Sequence, residues 1–119
     1  MAKPTEFGVQ SYCFRSINEN AQVAKAVKEI GLDKIEVCAV HANFSNLEEW
    51  KSIVEIYKAE GVSIVSIGVQ TFQGDEVERT WFECAAASGA NHISAHFKVH
   101  NFTKVIPKVV ALSKEFDIK

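Results

Sequence analysis

Apolar positions along the chain alternate between two periods. Around residues 7–13, 34–40, 62–70 and 91–97, short runs that mix apolar residues with small and polar ones predict strands, whose side chains alternate between faces. Between them the apolar spacing lengthens to that of helices. Val23, Val27 and Ile30 mark a first helix, Leu47, Trp50, Val54 and Tyr57 a second, and Val77, Trp81 and Ala85 a third. A fourth is expected from near Thr103, with Pro107 close to its first turn. Ser45 and Glu48 have the spacing of a capping box ahead of the second helix, and Asp75 stands where the third needs a cap.

The pattern repeats. In KEIGLDKIEV, KAEGVSIVSI and AASGANHISA, Gly31, Gly61 and Gly89 close three helical stretches at intervals of 30 and 28 residues. That interval is the length of one strand-plus-helix unit. Glycine suits the position because the residue past a helix end often takes positive φ. Four such units with short connections predict a parallel α/β sheet.

Strand parity separates the two architectures that remain. One face gathers Val9, Ser11, Ile35, Val37, Val65, Ile67, Ile93, Ala95 and Phe97 and is mostly apolar. The opposite face gathers Gln10, Tyr12, Glu36, Cys38, Ser66, Gly68, Gln70, His92, Ser94 and His96, and is rich in small and polar residues. A doubly wound, flavodoxin-like sheet carries helices on both faces and needs both apolar. Only one face here calls for helices, so the expectation is a (β/α)4 half-barrel, with the polar face turned inward.

Composition fits a soluble globular chain: 47% hydrophobic, 24% charged, net charge −2 from 13 basic and 15 acidic residues. At 119 residues it is expected to be a single unit spanning 1–119, able to bury about two-thirds of its unfolded surface without a metal or disulfide. The near-neutral balance argues against a dedicated nucleic-acid binder, which would normally carry a basic patch. Cys13, Cys38 and Cys84 are odd in number, lie in apolar segments and form no CxxC, which points to a reducing compartment. Residues 1–7 are too polar for a signal peptide, and no apolar run approaches the ~20 residues of a membrane span. The expected location is cytoplasmic, with no membrane partner.

Working groups in parallel α/β folds lie at the C-terminal ends of strands and in the loops that follow. Those loops, 13–20, 41–46, 70–75 and 96–103, bring up Tyr12, Arg15, His41, Asn43, Gln70, Gln73, His96, Lys98 and His100. His96 leads as a catalytic candidate because it ends the fourth strand on the polar face; the alternative is a core histidine bonded to a neighbouring strand. His92, His96 and His100 share parity, but successive members stand about 13 Å apart on a straight strand and cannot share one metal. His41 follows the second strand and is a further catalytic candidate, or a loop histidine. Glu36 is either catalytic or an interior carboxylate that must be paired. Gln10, Tyr12 and Gln70 are candidates to bind a polyhydroxylated substrate. The chain has no GxGxxG, P-loop, GxSxG or HExxH motif.

The opening FGVQSYCFR resembles the first strand of the xylose-isomerase-like TIM barrels, the sugar phosphate isomerase/epimerase group. GLDKIEVCAVH is similar to the family's second strand with its acidic residue and the histidine after it, and EGVSIVSIGV and ASGANHISAHF are similar to the next two repeats. The resemblance runs from Phe7 to Lys119 and implies a divalent-metal-dependent aldose–ketose isomerase or epimerase acting on a sugar, sugar phosphate or polyol. It implies Mg, Mn, Co or Zn as cofactor, with ligands mainly from strands 5 to 8, outside this chain, and none assigned within it. By position it gives family roles to Glu36, His41 and His96.

A (β/α)8 barrel takes about 250 residues, so the chain is expected to be the N-terminal half of one, contributing substrate-positioning groups. KEFDIK then reads as the fourth helix running into a fifth strand. Two alternatives stay open: a stand-alone half-barrel that self-associates without catalysis, and an endonuclease IV-like fragment, a fold relative that uses metal-bound histidines and carboxylates. Expected partners are a carbohydrate and either a second copy or a second half-barrel.

Overall fold

In the computed structural model, which describes residues 6–119, four strands alternate with four helices. The order is β1 (Val9–Gln10), α1 (Asn20–Glu29), β2 (Lys34–Val37), α2 (Leu47–Ala59), β3 (Ser63–Phe72), α3 (Val77–Ser88), β4 (His92–Phe97) and α4 (Phe102–Phe116). The strands form one parallel sheet in the order β1-β2-β3-β4. Crossovers of one hand between strands taken in sequence put every helix on the same side. Accordingly, α1 packs on α2, α2 on α3 and α3 on α4. This is a (β/α)4 half-barrel, with a helix-covered face and a helix-free face. The residues read as too polar for a signal peptide fall partly at 1–5, outside the described residues.

The core lies between sheet and helices. Val23, Ala24 and Val27 of α1, Trp50, Ile53 and Tyr57 of α2, and Phe82, Cys84 and Ala85 of α3 are buried against Ile35, Val37, Ile64, Ile67 and Ile93. Ile30 departs from the expected stripe: α1 ends at Glu29, and Ile30 is exposed at its C-cap. Trp50 Nε1 donates to the Cys84 carbonyl at 2.7 Å, which joins α2 to α3 through a satisfied buried indole. The three helix-closing glycines have φ of 83, 75 and 76° at Gly31, Gly61 and Gly89, as their spacing predicts.

Both expected caps are corrected. α2 starts one residue later than the Ser45–Glu48 box requires. Asn46 is its N-cap, accepting from the Glu49 amide at 3.1 Å, while Ser45 donates its amide to the Asn43 side chain. At α3 the N-cap residue is Glu76, and Asp75 makes no cap. The buried carboxylate of Glu78 does that work from inside the first turn, accepting from the amides of Gln73, Gly74 and Asp75 at 2.7–3.1 Å. Pro107 sits in the body of α4, since the helix begins at Phe102.

The strands differ from their expected lengths and parity for a local reason in each case. β1 keeps only Val9 and Gln10, because Ser11–Phe14 tightens into a 3-10 turn. That turn exposes Tyr12 and buries Ser11, whose hydroxyl accepts from the Cys38 amide at 2.9 Å. β2 stops at Val37. β3 carries two bulges: Val65 slips between the Ile35–Ile64 and Glu36–Ser66 pairs, and Val69 between Gly68–Ser94 and Gln70–Ala95. Each extra residue reverses the alternation. Gln70 therefore comes into register with Ala95 on the helix-covered side and is buried there, off the polar face to which it was assigned.

After α4 the chain turns at Asp117, which has φ 52°, and buries Ile118. Lys119 lies alongside β4: its amide donates to the Asn91 carbonyl at 3.0 Å, and its carbonyl accepts from the Ile93 amide at 2.8 Å. These are the two bonds of a parallel bridge, at the place where KEFDIK was expected to enter a fifth strand.

Candidate functional site

Three strands, β1, β3 and β4, each send one polar side chain on the helix-free face to a single carboxylate on β2. Glu36 Oε1 accepts from Gln10 Nε2 at 2.6 Å, and Glu36 Oε2 accepts from the hydroxyls of Ser66, at 2.5 Å, and Ser94. Gln10 is fixed at both ends of its amide. Its oxygen accepts from the Tyr12 amide at 2.9 Å, so its NH2 group faces Glu36 and the Gly68 carbonyl, the latter at 3.0 Å. The bond from β4 to β2 passes over β3 where Gly68 has no side chain. A Cβ on Gly68 would lie 2.7 Å from the Ser94 carbonyl oxygen and 2.9 Å from the Ser94 Cβ. An ionised carboxylate on a sheet's inner face requires such donors.

Above this floor, at the C-terminal ends of the strands, the surface changes character. A cavity of about 370 Å³ is lined by Gln10, Tyr12, Cys38, Ala39, Val40 and Val69. Tyr12, Val40 and Val69 are each more than half exposed. The Arg15 guanidinium stacks 4.7 Å from the centre of the Tyr12 ring and donates to the Tyr12 carbonyl at 3.1 Å. His96 is exposed at the same end of β4, its Nδ1 3.3 Å from the Thr71 hydroxyl. An apolar rim over a satisfied polar floor presents ring and methyl surface to a ligand, with free polar atoms on Tyr12, Arg15 and His96.

The remaining candidates do not join this group. His41 is buried, with Nε2 2.7 Å from the Ile17 carbonyl, and Nδ1 has no partner. The hydrogen bond to a carbonyl places the proton on Nε2. Its own carbonyl accepts from Asn20 Nδ2 at 2.9 Å, and Asn20 Oδ1 accepts from the Tyr57 hydroxyl at 2.7 Å. His41 is thus a wall residue that ties the first two loops to α1 and α2. Burial, together with nearby Cys38, pushes the Tyr57 phenol above its ordinary value. Asn43 folds its own turn, Gln73 gives its amide to Glu78, and Lys98 and His100 are exposed in the loop after β4. His92 is exposed at the opposite end of its strand, beside Asn91.

Ser66 and Ser94 were not singled out as functional residues, although both share the parity of Glu36. Parity was the signal that would have found them. The Asn20–Tyr57 link and the Glu78 cap had no comparable signal, because each joins residues that only the tertiary fold brings together.

The metal implied by the resemblance does not fit these residues. No group of three or more His, Cys, Asp or Glu that could hold a metal ion occurs among the described residues. Both oxygens of Glu36 are already engaged.

No protein-family profile matches the sequence, and no curated protein does. Solved structures match its fold. A protein of undescribed function from Parabacteroides distasonis ATCC 8503 superposes with a TM-score of 0.77 at 15% identity, covering 94% of this chain and 50% of its own. The probable 3-DHS dehydratase AsbF, involved in petrobactin synthesis in Bacillus anthracis, gives 0.62 at 15% identity, over 94% and 48%. D-psicose 3-epimerase, solved in the presence of D-fructose, gives 0.64 at 15% identity, over 97% and 50%. The chain thus spans about half the length of these proteins, and at this identity the likeness is one of fold.

Proposed function

We propose that this chain is one half, the N-terminal one, of a carbohydrate-processing barrel of the isomerase/epimerase kind, in which it binds and positions the substrate. The observation that carries this reading is the layering of the helix-free face. Gln10, Glu36, Ser66 and Ser94 close a polar floor, and Tyr12, Val40 and Val69 leave an apolar rim above it. Sugars suit such a rim, since their C–H faces pack on aromatic and methyl groups while their hydroxyls seek free polar atoms. In this reading Tyr12 supplies the packing surface, Arg15 and His96 supply hydrogen bonds, and Gln10 and Glu36 act by holding Tyr12 and the strand ends in place. Gln70 and His41 serve from behind the site, as supports of its walls.

The epimerase and dehydratase among the structural neighbours support the substrate class by analogy of fold. In this reading the divalent ion and the base come from the complementary half. A cytoplasmic location belongs to the same proposal and suits the three free cysteines. Among the described residues no helix is long and apolar enough to cross a membrane.

Titration of the labelled protein with D-fructose, followed by amide chemical shifts, tests the proposal. Weak saturable shifts at Tyr12, Val40, Val69 and His96, lost in Tyr12→Ala, are expected. Shifts that are absent, or that survive this substitution, would remove the carbohydrate reading.

A further inference from the structure

The chain has two arginines, and both lie against an aromatic ring. Arg79 stands 5.2 Å from the centre of the Phe116 ring and donates to both oxygens of Glu115, at 2.9 and 2.5 Å. Its fork is filled by a carboxylate of the chain itself. Arg15 has the ring without the carboxylate. Its guanidinium stands 4.7 Å from the centre of the Tyr12 ring, and among the described residues it forms no ion pair. The Tyr12 carbonyl accepts from both the amide and Nη1 of Arg15, each at 3.1 Å. The side chain is thus folded back on its own 3-10 turn, and Nε and Nη2 have no partner among the described residues. Fixing a long exposed side chain in one pose costs entropy. Here contacts within a single turn have ordered it before any ligand arrives.

We propose that Arg15 selects a substrate that carries an anionic group, a carboxylate or a phosphate ester, and binds that group through Nε and Nη2. The inference rests on the carbohydrate reading and narrows it. Tyr12 joins the two parts of the site, since it lines the cavity and its ring carries the guanidinium. Arg15 is therefore one ring away from the cavity, within reach of an exocyclic group of a sugar packed on the rim. A neutral hydroxyl would engage one donor of the fork and gain nothing from its charge. A carboxylate or phosphate takes two parallel N–H···O bonds and meets the charge as well, as Glu115 does at Arg79. The carboxylate of the floor does not compete, because Glu36 is engaged by Gln10, Ser66 and Ser94.

The test is titration of the full chain with D-fructose, D-fructose 6-phosphate and D-gluconate at one ionic strength, followed at the Val40 and Val69 amides. At least one of the two anionic ligands is expected to bind tenfold or more tightly than D-fructose, and which one does so tells phosphate from carboxylate. Only an anionic ligand should move the Arg15 Nε–H resonance. Arg15→Gln removes charge and fork from an exposed position and is expected to bring the preference within twofold. Arg15→Lys keeps the charge without the fork and should retain only part of it. A preference that is absent, or that persists in Arg15→Gln, overturns the proposal, while saturable binding of D-fructose leaves the carbohydrate reading standing. Inorganic phosphate or acetate that binds as tightly as the matching sugar also overturns it, since the anion would then be held without the sugar. No binding by any of the three sugars removes both readings.

Discussion

Gln10 Nε2 donates to Glu36 Oε1 at 2.6 Å, so the shortest strand of the sheet is held by a side chain as well as by its two-residue ladder. The other end of the same amide accepts from the Tyr12 backbone. A carboxylate on β2 thereby controls where the exposed ring of Tyr12 stands, and the floor of the half-barrel and the rim of its cavity become one connected structure.

Glu36→Gln is expected to destabilise the fold by about 1–3 kcal/mol, because a side-chain NH2 would then face one of the three donors that converge on the carboxylate. Gln10→Ala should cost less and should speed hydrogen exchange at the Tyr12 amide. Urea denaturation and exchange measurements check both. An unchanged midpoint in Glu36→Gln would mean that the carboxylate does not hold the strands together.

Two glycines of positive φ should respond very differently to alanine. At Gly31, with φ 83° and nothing within 4 Å of a built Cβ, the cost is backbone strain alone, about 1–2 kcal/mol. At Gly68 the strain at φ 140° is joined by a Cβ 2.7 Å from the Ser94 carbonyl oxygen, and the cost should exceed about 3 kcal/mol. Gly68→Ala should also disturb the Ser94–Glu36 bond, visible as chemical-shift changes at Gln10 and Tyr12. Equal melting temperatures for the two variants would show that the close approach of β3 and β4 carries no weight.

Trp50→Phe keeps an aromatic ring beside Phe44, which the indole now meets edge-on at 5.0 Å, but removes the donor to the Cys84 carbonyl. A loss of about 1–2 kcal/mol is expected, against about 3–5 kcal/mol for Trp50→Ala. Trp81, which packs on Phe72, remains as the fluorescence probe for the denaturant curves. Equal losses in the two variants would assign the whole effect to the hydrogen bond.

These variants fall on features that were unevenly legible in the sequence. The unit length, the helix-closing glycines and the single apolar face all follow from local periodicity, and together they identify the half-barrel. Glu36 was recognisable as an interior carboxylate for the same reason. What periodicity cannot carry is an interruption of itself. The extra residue Val69 reverses the alternation, so Gln70 lies on the face opposite to the one that parity predicts, while Ser66 and Gly68 keep theirs. Tertiary partners set the other differences. The Ser11 hydroxyl, bonded to Cys38, ends β1 early, and Glu78 replaces the expected cap by reaching back to three amides. His41 looked like a mouth residue because it follows a strand, but the Ile17 carbonyl and Asn20 fix it in the wall.

The cysteines give a prediction about alkaline pH. Burial pushes the Cys84 thiol from its ordinary value of 9.0 up to about 12, with the Glu83 charge adding to it, and burial moves the Tyr57 phenol in the same direction. Unfolding returns both groups to water, where they ionise more readily. The folded state therefore binds more protons than the unfolded one above pH 9, and stability must fall as pH rises. For Cys84 the contribution is fully present below pH 9 and is lost between pH 9 and about 12. Denaturant midpoints across that window should decline, and Cys84→Ala should flatten the decline without abolishing it, because Tyr57 remains. At pH 8 a thiol reagent should label exposed Cys13 quickly, and buried Cys38 and Cys84 only on unfolding. Rapid labelling of Cys84 in the native protein, or a midpoint that holds level to pH 11, would contradict the burial that sets both effects.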